Sequence, residues 1–518
     1  DVRLIDPTYQ RTPYSVSTNF NGLTDVVNGV ETDGAFLSAK ALNAVVNSNV
    51  GSVYPSFKNF SVYVQDMARL GPATTVTFGF RWEINPAPTV RSGPRPFALS
   101  SSFDGRVTQN EPLYDTRWRD LAPRFGMTQA IKSKPGKELI LRIGIGAFHD
   151  IGYGTVVSMY SGAPYSNVRT LSLPTFPLIR DNIAAPVLPP VKPYGQISAA
   201  DRLLQAPIVY QWNVALEQHY GRGQTVSAAY VGTRGRRLML NSTSFYGGTD
   251  YDILMLASNG AESDYHGLQM QYQRRLSRRL QTQFAWTWSH SIDTSSSDAG
   301  MGFASLFGGS ERGNSDYDVR HNINWSGSYL VPAPKMAVAG PLLRDWNLDW
   351  MITRRTGLPF QVQGVSATTS DSDTTSVSRG LFAQVRPDYN GLESWISDPL
   401  APGGRKVNSA AFATPTTFSQ GNLGRNALSG FSATQIDFSL RRQIPITDAL
   451  RLNFAVQAFN VTNSPSFLNP TRDEGANLAS PKFGMATRTL GTGFGGGAGS
   501  FYRSGGPRSI QFSFRLQF

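Results

Sequence analysis

Apolar and polar residues alternate strictly in many segments of this chain, each about ten residues long. From Ser509 to Phe518, apolar residues occupy every even position and polar residues every odd position. Successive side chains of a β-strand point to opposite faces, so this pattern predicts strands with one apolar and one polar face. Helical periodicity is nearly absent.

The alternation predicts about thirteen strands. They cover residues 60–64, 76–82, 125–127, 141–145, 208–216, 226–230, 268–272, 284–288, 323–329, 346–352, 436–440, 452–456 and 510–518. A soluble sandwich also has alternating strands, with the apolar face buried against a second sheet. Segments of about ten residues instead suit a tilted strand that crosses a bilayer. We therefore predict an all-β fold, an antiparallel transmembrane outer-membrane β-barrel with about 13 to 14 long strands in this chain.

The links between predicted strands alternate in length. Short links fall near 69–73, 132–138, 221–224, 276–279, 331–341 and 445–449, and long ones near 86–121, 150–206, 236–264, 294–319, 357–433 and 464–507. Outer-membrane barrels combine short periplasmic turns with long extracellular loops in this way.

Thirteen is an odd number, whereas bacterial single-chain barrels have an even number of strands. Either residues 1–59, a poorly defined loop or upstream barrel segment, hold another strand, with Ser15–Phe20 as a weak candidate, or the parent protein is longer. The start at Asp1, without Met or an apolar leader, also looks like a cut end. We assign residues 60–518 to the barrel.

Composition narrows the function classes. Charged residues make up 16% and aromatic residues 11% of the 518 residues, with 50 Gly and 32 Pro, which favours β structure. No stretch approaches the roughly 18 to 20 uninterrupted apolar residues of a membrane-spanning helix, so a helical membrane protein is excluded. The absence of cysteine excludes disulfides and thiolate sites. The formal charge of +12 comes from scattered basic residues rather than a patch, so nucleic-acid binding is not expected.

The polar face supplies candidate lumen residues, which would line a wet interior or contact a plug. They are Arg81, Arg142, Gln269, Gln271, Asn322, Asn324, Asp349, Gln457, Gln511 and Arg515. On the apolar face, tryptophans near strand ends predict an interfacial aromatic girdle, with a ligand-stacking surface as the alternative. They are Trp82, Trp212, Trp286, Trp288, Trp325, Trp346 and Trp350.

Several segments resemble the β-barrel of Oar-like TonB-dependent outer-membrane receptors, over residues 60–518. They are Tyr63–Asp66 (YVQD), Phe78–Glu83 (FGFRWE), Ala122–Gly126 (APRFG), Gln211–Gln218 (QWNVALEQ), Tyr230–Gly235 (YVGTRG), Trp286–Asp293 (WTWSHSID), Asp316–His321 (DYDVRH), Gly424–Asn426 (GRN), Phe459–Asn463 (FNVTN) and Arg508–Gln511 (RSIQ). Each segment alone is weak evidence, but all of them together, in the order found in the family, are strong evidence for the resemblance. Phe514, Leu516 and Phe518 also resemble the terminal signal that barrel-assembly machinery reads.

The resemblance implies a barrel of about 22 strands, an N-terminal plug and a short box that contacts TonB. This chain would then be the C-terminal barrel portion, without the plug, and would contact outer-membrane lipid, the assembly machinery and, through the plug, the TonB complex. The implied location is the outer membrane of a Gram-negative-type bacterium. The implied function is passage of an unknown ligand captured by long loops, with 150–206 and 357–433 as the leading loops. A passive pore and a surface structural or adhesion barrel are the alternatives.

Other motifs carry little chemistry. The run Gly491–Gly499 lacks the helix and Lys of a phosphate-binding loop. The segment Thr368–Thr375, with Asp371 and Asp373, lacks the glycine and distal Glu of an EF-hand, so a solvated loop is expected rather than a Ca²⁺ site. The five histidines have no metal-binding spacing, and no nucleophile or paired-carboxylate motif is present. We predict no enzyme, metal or cofactor.

The assigned faces predict opposite effects of one charge at adjacent positions. Phe514→Arg should impair insertion into lipid vesicles, because an arginine on the lipid face costs about 2 to 4 kcal/mol at the midplane. Ser513→Arg, on the polar face, is the matched control and should insert nearly as well as the parent. Equal folding yields of the two variants, measured by gel mobility of unheated samples, would refute the assignment.

Overall fold

The computed structural model describes residues 2–19, 43–100, 106–150, 156, 158–172, 178–221, 223–245, 250–277, 279–297, 311–332, 345–365, 384–416, 420–447, 449–471, 475–490 and 506–518. Thirteen long strands belong to one sheet. They are β1 (Pro55–Arg69), β2 (Thr74–Ile84), β3 (Asp120–Lys132), β4 (Leu139–His149), β5 (Ile208–Tyr220), β6 (Gln224–Phe245), β7 (Tyr251–Ser277), β8 (Leu280–Asp293), β9 (His321–Leu330), β10 (Trp346–Arg355), β11 (Ala433–Pro445), β12 (Arg451–Phe459) and β13 (Ser509–Gln517). Each contains one of the alternating segments, so the predicted all-β fold of long strands is confirmed.

Each long strand pairs antiparallel with the next one in the chain. Such a meander needs only hairpin connections, in agreement with the short links at one end of the sheet. Glycines with positive φ stand in three of these turns, at Gly71 (78°), Gly136 (74°) and Gly221 (61°), where other residues would be strained. The long links consequently all leave from the opposite end.

The predicted loop over 236–264 is wrong for most of its length. β6 and β7 continue as a paired hairpin of 22 and 27 residues, with pairs as far as Phe245 and Ile253. A further strand, Tyr194–Ala200, adds in parallel to the start of β7. Register shifts between Gly235 and Leu240 interrupt the alternation, which explains why the sequence pattern ends there.

The N-terminal candidate strand is present but lies in another sheet. Tyr14–Asn19 pairs with Asn43–Asn49, which in turn pairs with Ser166–Ser172 of a long link. The edge of β1 instead receives Val2–Ile5, paired with residues 57–60. Ser15–Phe20 is therefore not the extra barrel strand, because its described backbone pairs with a loop segment, and Phe20 itself lies outside the described residues.

Shorter elements occupy the links. The remaining strands are Tyr9–Gln10, Ser52–Val53, Thr89–Val90, Ala98–Leu99, Val107–Thr108, Gly313–Asn314, Pro359–Phe360, Gly364–Val365, Gln384–Val385, Asp388–Tyr389, Trp395–Ser397, Arg405–Val407, Phe412–Ala413 and Leu428–Ser429, and the 3₁₀ helices are Ser158–Tyr160, Pro402–Gly404 and Ser409–Ala411. In the part of the chain that the structure describes, none of the helices has the length and apolar character to span a membrane.

Two tryptophans lie flat over glycines on the neighbouring strand. Trp212 of β5 is opposite Gly232 of β6, and Trp350 of β10 is opposite Gly327 of β9. A Cβ atom at either glycine would fall inside the facing indole. The missing side chains thus create the space in which the two rings lie against the sheet.

Gly232→Ala should therefore displace Trp212 and destabilise the folded protein by about 1 to 3 kcal/mol, the usual cost of overpacking. Urea unfolding in lipid vesicles, followed by tryptophan fluorescence, measures the change. Gly195→Ala is the control, because no atom lies within 4 Å of a Cβ there. An unchanged midpoint for Gly232→Ala would show that the indole moves at no cost.

Candidate functional site

Cross-strand register places all ten predicted polar residues on one face of the sheet. Residues opposite each other in a pair share a face, so the face can be followed from strand to strand. On this path Arg142 lies opposite Thr128 and Ala215, and Gln457 lies opposite Ser439 and Gln511. Followed in the same way, the register places the remaining residues on this face too: Arg81, Gln269, Gln271, Asn322, Asn324, Asp349 and Arg515. That these ten residues face a lumen or a plug stays a prediction.

Charged members of this face have partners that the sequence did not single out. Arg142 Nη1 lies 2.6 Å from Glu217 Oε2 of the next strand. Asp349 Oδ2 lies 2.7 Å from Arg441 Nε, also across strands. Such pairs become visible only when the register is known, because 75 and 92 residues separate the partners.

Arg81 has a partner that the sequence could have shown. Its Nε lies 2.7 Å from Glu83 Oε1, two residues further along the same strand and hence on the same face. It also donates a hydrogen bond of 2.7 Å to Ser61 Oγ on β1. Such ion pairs and hydrogen bonds between neighbouring strands hold the strands to one another on the polar face.

All seven predicted girdle tryptophans lie on the opposite, apolar face. Trp346 begins β10 at the short-link end, and Trp288 is 52% exposed near the other end of β8. Trp325 and Trp350, however, stand fifth in their ten-residue strands, with ring centroids 5.6 Å apart. The predicted place near strand ends thus does not apply to Trp325 and Trp350, nor to Trp286, the seventh of the fourteen residues of β8, and the girdle role stays a prediction.

The C-terminal residues lie on the same apolar face. Phe514 packs against Phe454 with ring centroids 5.0 Å apart, and Leu516 lies opposite Leu452. Phe514 and Leu516 are 69% and 56% exposed, and Phe518 is fully exposed. Exposed apolar residues in a row are what a lipid-facing strand requires, whereas the signal role stays a prediction.

Apolar cores lie in the links at the long-link end, which together form the loop layer. We define it as the described residues of 43–57, 85–119, 156–207, 236–260, 356–432 and 460–490. One core includes Phe57, Leu113, Met159, Leu204 and Met239, and another includes Phe360, Val362, Val407, Phe412 and Leu428. The two leading candidate loops each contribute to such a core, so their described parts are folded like a soluble protein.

A buried ion pair ties the second of these loops to the sheet. Arg425 Nη1 lies 2.5 Å from Asp293 Oδ1 at the end of β8, and their side chains are only 12% and 1% exposed. Arg425 Nη2 also donates a hydrogen bond of 2.7 Å to Ser296 Oγ. We call this pair, with Asn426 and Asp316, the polar clamp.

Asn426 closes the clamp beside the ion pair. Its Nδ2 donates to Asp316 Oδ1 at 2.6 Å and to the Asn314 carbonyl at 2.8 Å, while Asn314 Nδ2 donates back to the Asn426 carbonyl at 3.0 Å. Asn426 has φ of 50°, which Asn tolerates better than most residues. Nearby, the Arg386 guanidinium makes two 2.8 Å bonds to Glu311.

A second buried carboxylate holds the start of β9. Asp318 Oδ1 accepts the Ser291 backbone N–H at 2.8 Å, and Oδ2 lies 3.1 Å from His290 Nδ1. Asp318 is 4% exposed, so both oxygens are engaged by β8. Three segments of the family likeness, around residues 286–293, 316–321 and 424–426, therefore meet at one place. The sequence showed each segment but not their meeting, because 132 residues separate Asp293 from Arg425.

The segment Phe459–Asn463 has a similar positional role. Asn460, 3% exposed, accepts the Ser464 N–H at 3.1 Å and donates to the Gly506 carbonyl at 2.6 Å. Asn463 Oδ1 accepts the Arg508 N–H at 3.1 Å, just before β13. These bonds bring the two ends of a long link together above the last hairpin.

Two weighed motifs, Gly491–Gly499 and Thr368–Thr375, lie outside the described residues. Among the residues with a described placement, no group of three metal-binding side chains comes together.

Comparison with known proteins identifies the family. The model of the outer membrane beta barrel domain matches residues 4–511. No curated protein sequence matches significantly.

Among the solved structures to which this chain is similar at low identity, three are titled as transporters. The outer membrane transporter YddB from Escherichia coli is 9% identical with a TM-score of 0.41, over 93% of this chain and 60% of that one. The copper transporter OprC is 11% identical with a TM-score of 0.41, over 93% and 56%. The FrpB iron transporter from Neisseria meningitidis (F3-3 variant) is 11% identical with a TM-score of 0.35, over 84% and 56%. The chain thus spans less than two thirds of these proteins, and what they carry is a property of those proteins.

Removal of the clamp arginine should free the second leading loop, 357–433, but leave the strands in place. Arg425→Ala leaves Asp293 charged and buried, which costs about 3 to 5 kcal/mol. We expect chymotrypsin to cut residues 384–416 much faster in this variant, while the barrel keeps its gel mobility. Lys406→Ala is the control, because its ion pair with Asp398 is exposed and lies within the same loop. Equal cleavage rates for both variants would show that the clamp does not hold the loop.

Proposed function

Because the chain belongs to the family of outer membrane β-barrel domains, we propose that it is the barrel of a TonB-dependent receptor of the Oar-like kind, which captures a solute in its loop layer and passes it along the polar face. An outer-membrane location follows from the family. The observation that carries the proposal is the folded loop layer on top of a two-faced sheet. A pore for small solutes needs no such layer, whereas recognition needs loops positioned by a rigid scaffold.

The exposed surface of the two leading loops supports recognition. The first presents Val187 and Val191, which are 72% and 77% exposed, and the second presents Leu400, which is 96% exposed. Large apolar side chains at loop tips are available for contact with a ligand. Arg405 lies between Trp395 and Phe431, 4.3 and 4.7 Å from the ring centroids, and burial lowers the pKa of its guanidinium.

The polar face supports passage. Its carboxamide and guanidinium groups offer hydrogen bonds to a hydrated solute, in place of the hydrocarbon contacts that the other face offers. The proposed partners are outer-membrane lipid on the apolar face, the assembly machinery at Phe514, Leu516 and Phe518, and the TonB complex acting through a plug domain.

Energy-dependent uptake tests the proposal. Cells that carry the protein, as encoded in its genome, receive a labelled panel of ferric siderophores, oligosaccharides and peptides, with and without a proton uncoupler. We expect one class to enter above the level of a deletion strain, and the uncoupler and Arg425→Ala each to reduce its entry. Lys406→Ala should leave entry unchanged.

Other outcomes would contradict the proposal. Entry that depends on solute size but not on the uncoupler indicates a passive channel. No entry of any panel member above the deletion strain indicates a structural or adhesion barrel.

A further inference from the structure

A recess opens on the polar face at the short-link end of the sheet. It lies between β10 and β13, close to where β10 and β12 begin and where β11 and β13 end. Its volume is about 540 Å³, within the range of sites that take small molecules. We call it the exit recess, because a solute that passes along the polar face from the loop layer would meet it last.

Two small side chains line the middle of the exit recess. Ala455 lies directly opposite Arg441 on one side and Ser513 on the other. Gln457, one of the predicted lumen residues, is two residues beyond Ala455 and hence on the same face. A larger side chain at position 455 would occupy the recess, so its depth depends on this alanine.

One arginine at the recess is held in a fixed orientation. Asp349 accepts hydrogen bonds from Arg441 Nε at 2.7 Å and from Arg441 Nη2 at 3.2 Å. This pair of bonds leaves Arg441 Nη1 without a partner in the described part of the chain, and the Arg441 side chain is 55% exposed. The outer edge of the guanidinium group is therefore oriented and available to a ligand.

A second arginine at the recess has no counter-ion. Arg515, two residues beyond Ser513 on β13, lines the recess and makes no ion pair within the described residues. Its register partner Asn453 also lines the recess. None of the described lining residues is acidic, so the lining itself does not repel a bound anion.

Carboxamide groups surround the two arginines. Asn347 is the register partner of Arg441, and Gln443 is the register partner of Asn453. Each carboxamide has N–H donors and a carbonyl acceptor. A simple anion uses only the donors, whereas a hydroxyl group also satisfies the acceptors. The lining therefore suits a ligand that carries both an anionic group and hydroxyl groups.

We propose that the exit recess binds the carboxylate and hydroxyl groups of an acidic sugar. The guanidinium groups would hold the carboxylate through charge-assisted N–H bonds, and the carboxamides would hold the hydroxyl groups. The volume of the recess, that of a single small-molecule site, favours a solute over a segment of another protein. This site rests on the proposed passage of a solute along the polar face, and it names the chemical class of that solute.

The affinities of three probes test the proposal. The protein as encoded in its genome, folded in detergent micelles, is titrated with D-glucuronate, D-glucose and acetate, and saturation-transfer NMR measures each affinity. We expect glucuronate to bind about tenfold or more tightly than either other probe, since glucose lacks the charge and acetate lacks the hydroxyl groups. Arg515→Gln should weaken glucuronate binding by a similar factor and leave glucose binding unchanged.

Two further variants separate the recess from the rest of the polar face. Arg124→Gln is the matched control, because Arg124 is an exposed arginine on the same face of the distant strand β3, and glucuronate should bind this variant as it binds the parent. Ala455→Leu fills the recess without a change of charge and should abolish glucuronate binding. If Arg515→Gln fails to fold, judged by gel mobility, Ala455→Leu replaces it, and unchanged binding there contradicts the proposal.

Other outcomes would also overturn it. Equal binding of acetate and glucuronate would show a site for any small anion, and equal loss in Arg515→Gln and Arg124→Gln would show attraction by the whole face. No binding of any probe would leave the recess to a protein segment. Energy-dependent uptake of another solute class would sustain the proposed transport even then, and glucuronate binding without uptake would sustain the recess alone.

Discussion

Hydrogen bonding between neighbouring strands is the constraint on which the rest of this structure depends. A bilayer offers no water to a backbone N–H or C=O group, so each strand must satisfy its polar groups through its neighbours. Once the register is set by these bonds, every side chain is assigned to one face or the other. The two-sided sequence pattern, the glycines under Trp212 and Trp350, and the cross-strand ion pairs all follow from that one assignment.

The long strands and the loop layer are stabilised in two different ways. In the long strands, apolar residues such as Phe512 (63% exposed) point out of the sheet, and in the proposed barrel their favourable environment would come from lipid. In the loop layer, residues such as Val362 and Met159 are fully buried, as in a soluble protein. The polar clamp lies at the boundary between these regions, where a buried charge such as Asp293 can be paired without crossing hydrocarbon.

The sequence was sufficient for the strands because a period of two is visible without knowledge of any partner. It located all thirteen long strands. It also assigned Arg142 and Ser513 to the polar face and their neighbours Leu141 and Phe514 to the apolar face, in agreement with the register. It failed where the alternation is interrupted, as in the upper half of the β6–β7 hairpin. It also could not place Ser15–Phe20, since a strand pattern does not name the strand with which it pairs.

The polar clamp could not be predicted from the sequence, for a different reason. Asp293, Asp316 and Arg425 each occur in a segment that carries the sequence resemblance, yet nothing in their spacing indicates contact. Their meeting depends on β9 and β10 lying between Asp293 and Arg425, and on the second loop folding back across these two strands.

The unusual length of the β6–β7 hairpin has a consequence for the cell surface. β7 has 27 residues, and about ten suffice for the bilayer, so roughly 17 remain above it. At about 3.3 Å per residue, they form an arm of up to roughly 55 Å. Such an arm would stand well above the membrane surface, so it would be among the first parts of the barrel to meet large molecules outside the cell.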